Sequence, residues 1–190
     1  MPEAAKKSKN APSIMALERK YKSCSVGVRG YFDQFPDLIS KFKLDVCLAY
    51  MFFRTEMAQN TILYCGVVKL HRADQAVARK AIEAQYLTRQ SFLELFANVF
   101  SAPLPDAIAK TIKSAEKTRD RVLHGKLVEP SEIREALHDV LDYASLMNFH
   151  LEKVAGFKPF GDLRGFKGRT ASLEKQTSRW LLKGLGFSLH

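Results

Sequence analysis

The chain has 190 residues, of which 46% are apolar and 26% charged, and a formal net charge of +10. That balance supplies enough apolar side chain for a sizeable core and excludes a wholly disordered chain. The excess charge lies at the ends: residues 1–30 carry seven Lys or Arg against two acids, residues 158–190 again seven against two, and residues 31–157 sixteen of each sign.

Residues 1–12 read as a disordered arm, followed by a short helix from Ser13 to about Ser23 that Gly27 and Gly30 interrupt. Pro36 suits the first turn of a helix. Beyond it Leu38, Phe42, Val46, Tyr50, Phe53 and Met57 recur every three to four residues, and the pattern continues through Leu63, Val67 and Leu70. The run Val46–Phe53 would pass for a buried strand in isolation, but its periodic surroundings favour helix. The spacing leaves open one long helix or two, broken near Asn60 or Gly66. A second helix is expected from Asp74 to Phe100, with Ile82, Tyr86, Leu93, Phe96 and Phe100 on its apolar face and Pro103 and Pro105 beyond its end. A third runs from Asp106 through Ile108, Ile112, Ala115 and Val122 to Gly125, a suitable C-terminal stop.

The fourth long helix has the most regular pattern. Ser131 is the expected N-cap, with Glu132 and Glu135 in the first turn. Ile133, Leu137, Val140, Ala144, Met147, Leu151 and Val154 then alternate four and three residues apart, and Gly156 and Pro159 end the pattern. Such a seam serves as bundle core or as a helical partner surface. The tail places Gly161, Gly165 and Gly168 among Phe160, Phe166, Arg164, Lys167 and Arg169, followed by a short helix over Ser172–Lys183 with Leu173, Trp180 and Leu181 facing inward. The expected fold class is all-α: an up-and-down bundle of four or five helices over residues 31–157. A basic arm (1–30) precedes it, and a basic Gly/Phe-containing tail (158–190) follows.

Basic ends favour phosphate-rich partners by releasing counterions, and they also keep a protein soluble. The longest apolar run, Val46–Phe53, stops at Arg54, far short of the ~20 residues a membrane span needs. No apolar stretch follows the basic segment Met1–Lys9, so no secretory leader is expected and the expected compartment is the cytoplasm. Cys24, Cys47 and Cys65 are odd in number and lack a C-x-x-C spacing, which argues for reduced, buried thiols rather than disulfides or zinc. His71 with Asp74, and His138 with Asp142, are helical neighbours better read as solvated pairs than as metal ligands. No cofactor is expected, since no strand precedes the tail glycines and no phosphate-cradling loop is present.

The chemistry concentrates in Arg119-Asp120-Arg121-Val122-Leu123-His124-Gly125. Asp120 and His124 are four apart and share a helix face, so the carboxylate is placed to orient the ring. At ~100° per residue Arg119 lies about 140° from His124, so one straight helix does not converge all three. Convergence needs the helix to loosen at Gly125, or a second copy. A histidine near neutral pH suits proton transfer, and an arginine suits a phosphate gaining charge. These are parts for metal-independent RNA cleavage by the 2′-hydroxyl. An Arg–Asp surface pair with a capping histidine is the plainer alternative.

The motif and its place late in the third long helix resemble the HEPN superfamily, over roughly residues 36–156. Those proteins are helical bundles with an R-x4–6-H motif and a polar residue often following the arginine. Here Arg119, Asp120 and His124 match. The resemblance implies a metal-independent endoribonuclease, several relatives being toxins or phage-defence proteins, with Arg119, Asp120 and His124 as catalytic residues. It further implies a homodimer in which two motifs share one cleft, and a nucleotidyltransferase-like antitoxin as a frequent partner. Other HEPN proteins are non-catalytic binding modules, and that alternative stands beside the first. Arg121 and Lys126, with Arg164, Lys167 and Arg169 of the tail, are the cations expected to contact RNA, the tail's Phe residues adding base stacking or packing on the bundle.

Overall fold

The computed structural model describes residues 12–163, 166 and 171–189. Among them the protein is all-helical, with nine helices and no strand. They are α1 (Ile14–Ser23), α2 (Val26–Tyr31), α3 (Phe35–Lys41), α4 (Leu44–Leu70), α5 (Gln75–Glu83), α6 (Arg89–Phe100), α7 (Asp106–Leu123), α8 (Pro130–Ala155) and α9 (Lys175–Gly184).

Two long helices organise the body. α8 packs along α7 and α4, and α4 also meets α3, α5, α6 and α7. The seam of α8 faces this core: Leu137, Val140, Ala144, Met147 and Leu151 are wholly buried. Val154, expected on the seam, is instead half exposed, because it lies in the last turn before Gly156. α8 starts earlier than Ser131. Glu129 is its N-cap, Pro130 fills the first turn, and Glu132 reaches back to the Glu129 N–H at 3.1 Å in a reciprocal capping box.

α4 runs unbroken through Asn60 and Gly66. The break falls earlier, where Phe42 is extended between α3 and α4. Gly66 is used for approach: a Cβ there would lie 2.5 Å from Val99 Cγ1 and 2.9 Å from Phe100 Cζ, so its absence lets α6 cross close to α4.

The single helix expected over Asp74–Phe100 is two. Asp74 caps α5 through the Val77 N–H, and Thr88 caps α6 through the Ser91 N–H. The cap at Thr88 outweighs the continuing apolar period, and Tyr86, expected on the apolar face, is 90% exposed in the link. Gly27 and Gly30 lie within α2 rather than ending a helix. A Cβ on Gly27 would sit 3.3 Å from the Phe160 carbonyl oxygen, which explains the glycine there.

The described parts of both basic terminal segments join the body; the arm expected over residues 1–12 lies, but for Pro12, outside the described residues. α1 and α2 lie on α8, with Leu17 and Val28 wholly buried. Lys20 pairs with Asp142 of α8. Asn148 holds the start of the tail with two bonds, donating to the Phe160 carbonyl at 2.7 Å and accepting the Phe160 N–H at 2.9 Å. The Phe160 ring is buried among Tyr31, Phe32 and Tyr143. α9 packs on α5 through Leu182, and Ser178 Oγ accepts the Asp74 N–H at 2.8 Å. The inward face of α9 is therefore Ser178 and Leu182, and Trp180, expected inward, is 65% exposed. Among the described residues no helix is long and apolar enough to cross a membrane.

Candidate active site

α7 ends in a Schellman motif built at the expected glycine. Gly125 has φ +66°, Gly125 N–H donates to Val122 O at 3.0 Å, and Lys126 N–H donates to Arg121 O at 2.9 Å. No atom crowds a Cβ at Gly125, so the backbone angle alone demands the glycine. This geometry sets His124 as the C-cap, with its backbone N–H on Asp120 O at 3.0 Å. Its ring is exposed and makes no hydrogen bond among the described residues.

Arg119, one turn earlier, is held on the side of α4. Its guanidinium carbon lies 4.8 Å from the Phe52 ring centre. Nη1 donates to Glu56 Oε1 at 2.7 Å and Nε donates to Asp120 Oδ1 at 3.0 Å. The side chain is 23% exposed, against 57% for Glu56 and 56% for Asp120. The arginine is thus pre-positioned by a partly buried stack, while both carboxylates lie near water.

The carboxylate expected to orient His124 is turned to Arg119 instead. The reason is geometric: Asp120 is next in sequence to Arg119, and its Oδ1 meets the guanidinium where that group lies over Phe52. Within one chain Arg119 faces α4 and His124 caps α7, so the two groups are not joined.

Two participants were not legible in the motif. Glu56 and Phe52 come from α4, 63 and 67 positions before Arg119, and no local spacing announces them. Glu116 stands three before Arg119 on the same face of α7. Glu116 binds Arg89 Nε of α6 at 3.2 Å. Burial pushes its carboxyl above the usual range, and Arg89 and Arg119 oppose that shift. The result is an alternating set of charges that ties α4, α6 and α7 around the motif.

The cations expected to meet RNA divide. Arg121 donates to Glu132 Oε1 at 2.7 Å and to Leu127 O at 3.0 Å, so it clasps the α7–α8 turn. That hydrogen bond holds the Glu132 carboxyl below its ordinary range. Lys126 is exposed and makes no ion pair among the described residues. Arg164, Lys167 and Arg169 lie outside the described residues. Of the tail aromatics, Phe160 is spent on the core, and Phe166 packs edge-on against Phe157 at 5.9 Å.

The other histidines among the described residues have local partners. His71 Nε2 bonds Val99 O at 2.7 Å while Asp74 caps α5, so the two do not converge on a metal. His138 Nδ1 meets Asp142 Oδ2 at 3.1 Å. His150 stacks on Phe96, and burial lowers its proton affinity. The three cysteines are free and buried, and burial pushes the Cys47 and Cys65 thiols up to about 12. They are held protonated and are poor nucleophiles.

No protein-family model, curated protein or solved structure matches the chain.

Proposed function

We propose that the chain is a HEPN-like, metal-independent endoribonuclease. The observation that carries this reading is the placement of the motif: Arg119 fixed on Phe52 at the protein surface, and an exposed His124 ring at the capped end of the same helix. In the reaction the RNA 2′-oxygen forms a bond to the adjacent phosphorus and the P–O5′ bond breaks. The products are a 2′,3′-cyclic phosphate and a 5′-hydroxyl end. His124 moves a proton on or off these oxygens, and Arg119 meets the charge that accumulates on the phosphoryl oxygens.

Because one chain separates the two groups, the reading pairs Arg119 of one copy with His124 of another. Exposed apolar side chains near the motif in sequence support such a homodimer: Phe53, next to Phe52 on α4, and Leu123 and Leu127 beside His124. A toxin or phage-defence setting, with a nucleotidyltransferase-like antitoxin as partner, follows from the same reading.

The test is cleavage of RNA by the purified protein in EDTA. Cleavage is expected to vanish in His124→Ala and Arg119→Gln while helix content is retained. Equal rates in the parent and both variants would refute the assignment. A second reading, a non-catalytic RNA- or protein-binding module, is favoured by the two carboxylates already on Arg119. It predicts RNA binding without products.

A further inference from the structure

Between α4 and α5 lies an open groove of about 430 Å³, within the range of small-molecule sites. Met57 and Tyr64 supply an apolar wall, and Asn60, Gln85, Glu83 and Arg79 supply polar atoms. The Arg79 guanidinium lies 5.7 Å from the Tyr64 ring centre. Arg79 is exposed and makes no ion pair among the described residues, although Glu83 stands four positions on along the same helix. A second hollow of about 300 Å³ shares Thr61 and Tyr64 and reaches Phe166, so the Tyr64 ring stands between two concave surfaces.

The position of this groove relative to the motif is fixed by α4. Asn60 and Tyr64 follow Glu56 by four and eight residues, about 6 and 12 Å along the axis at 1.5 Å per residue. Glu56 grips Arg119. At about 3.4 Å per stacked nucleotide, the groove is two to four nucleotides from a phosphate placed on Arg119.

We propose that the α4–α5 groove is a base subsite for single-stranded RNA, holding a nucleobase two to four nucleotides from the phosphate at Arg119. Tyr64 provides the stacking face. Arg79 swings outward to cover the base or meet its phosphate. Asn60 and Glu83 face the base edge, the carboxylate accepting from ring N–H or exocyclic amino groups, while Gln85, whose amide nitrogen is held by the Ala81 and Ser188 carbonyls at 3.0 and 3.1 Å, offers only its oxygen. An exposed guanidinium beside an aromatic ring, with no ion pair among the described residues, in a chain of net charge +10, fits an anionic stacked polymer better than an apolar peptide. This proposal rests on the ribonuclease reading for its location along the strand, but not for the existence of the subsite.

The experiment measures fluorescence anisotropy of a labelled 2′-O-methyl single-stranded oligonucleotide, which cannot be cleaved, on the full chain. The variants are Tyr64→Leu, which keeps apolar volume without a π face, and Arg79→Gln, whose parent side chain is exposed. Base–aromatic stacking is worth ~1–3 kcal/mol, so Tyr64→Leu is expected to weaken binding about 5- to 150-fold. An abasic oligonucleotide at the sensitive position should bind the parent as weakly as the intact one binds Tyr64→Leu, with no further loss when the two are combined. Duplex RNA should be unaffected. Unchanged affinity in both variants, or equal losses for intact and abasic strands, would overturn the subsite, as would a change in oligomeric state with no change in RNA affinity, which would make the groove a chain–chain contact. A parent that binds RNA through Tyr64 yet forms no products with cleavable RNA would retain the subsite and remove the nuclease. A parent that cleaves while both variants bind normally would do the reverse.

Discussion

Replacing Glu56 with glutamine separates two roles this carboxylate can play at Arg119. Its Oε1 lies 2.7 Å from Nη1, so under the proposed ribonuclease reading it would compete with a phosphoryl oxygen for that donor. The cost of the change to folding is small. Glu56 is 57% exposed, and pairs of this exposure are worth at most ~1 kcal/mol. The effect on a phosphate is of similar size with opposite sign. Removing a negative charge about 5 Å from an incoming phosphate relieves about 1 kcal/mol of repulsion in a water-like dielectric, which is roughly fivefold in affinity. The gain should shrink as salt rises toward 0.15 M, where the screening length is ~8 Å. The assay is binding of a 2′-O-methyl RNA to the parent, Glu56→Gln, Arg119→Gln and the double variant across a salt series. Tighter binding in Glu56→Gln at low salt, with most of the gain lost when Arg119 is also replaced, fits competition at the guanidinium. Weaker binding in Glu56→Gln with helix content retained would refute it, and would mean that the carboxylate positions Arg119 rather than occupying its phosphate site.

Three further outcomes follow from the geometry. Gly66→Ala forces a methyl to 2.5 Å from Val99 Cγ1, so the gain in helix propensity is outweighed and urea unfolding should show a net loss of about 1–2 kcal/mol. Gly125→Ala places a side chain at φ +66°, which should cost ~1–2 kcal/mol and loosen the cap that holds His124, lowering cleavage more than it lowers RNA affinity. Burial, with help from Asp142 and Glu135, pushes the Asp139 carboxyl from 3.8 up to about 6. The folded chain therefore binds this proton more tightly than the unfolded chain, and stability from this group falls as pH rises from about 4 to about 6. Asp139→Asn should raise stability by about 1–2 kcal/mol at pH 7, after solvent screening, and change little at pH 4 in paired urea titrations.

The helices were legible where local chemistry and packing agree. Ser13, Gly125 and Gly156 mark boundaries that are one-residue events, fixed by a cap or a positive φ. The apolar period of α7 and α8 reports a single buried face, because each has one solvent side. Periodicity misled where a cap overrode it, as at Thr88. It also misled where a short terminal helix had too few turns to define a face, as with Trp180 and Leu182. The separation of Arg119 from His124 was legible in their five-residue spacing, which one straight helix does not bring together. Phe52 and Glu56 were not, since the contact that makes them part of the site depends on how α4 crosses α7. For the same reason the pairing of Asp120 with Arg119, rather than with His124, is a tertiary result.

The double grip of Asn148 on the Phe160 backbone has a practical consequence for dissecting the basic C-terminal segment. Cutting the chain at 157 would strip Phe160, Leu182 and Phe187 from the interior. Emptying a single buried large apolar site costs roughly 2–5 kcal/mol, so three together exceed the stability of most domains of this size. A shortened chain that lost RNA affinity would therefore report collapse of the body, not the contribution of the removed charges. Neutralising Lys175, Arg179 and Lys183, which lie exposed on α9, would alter the field while leaving the scaffold whole.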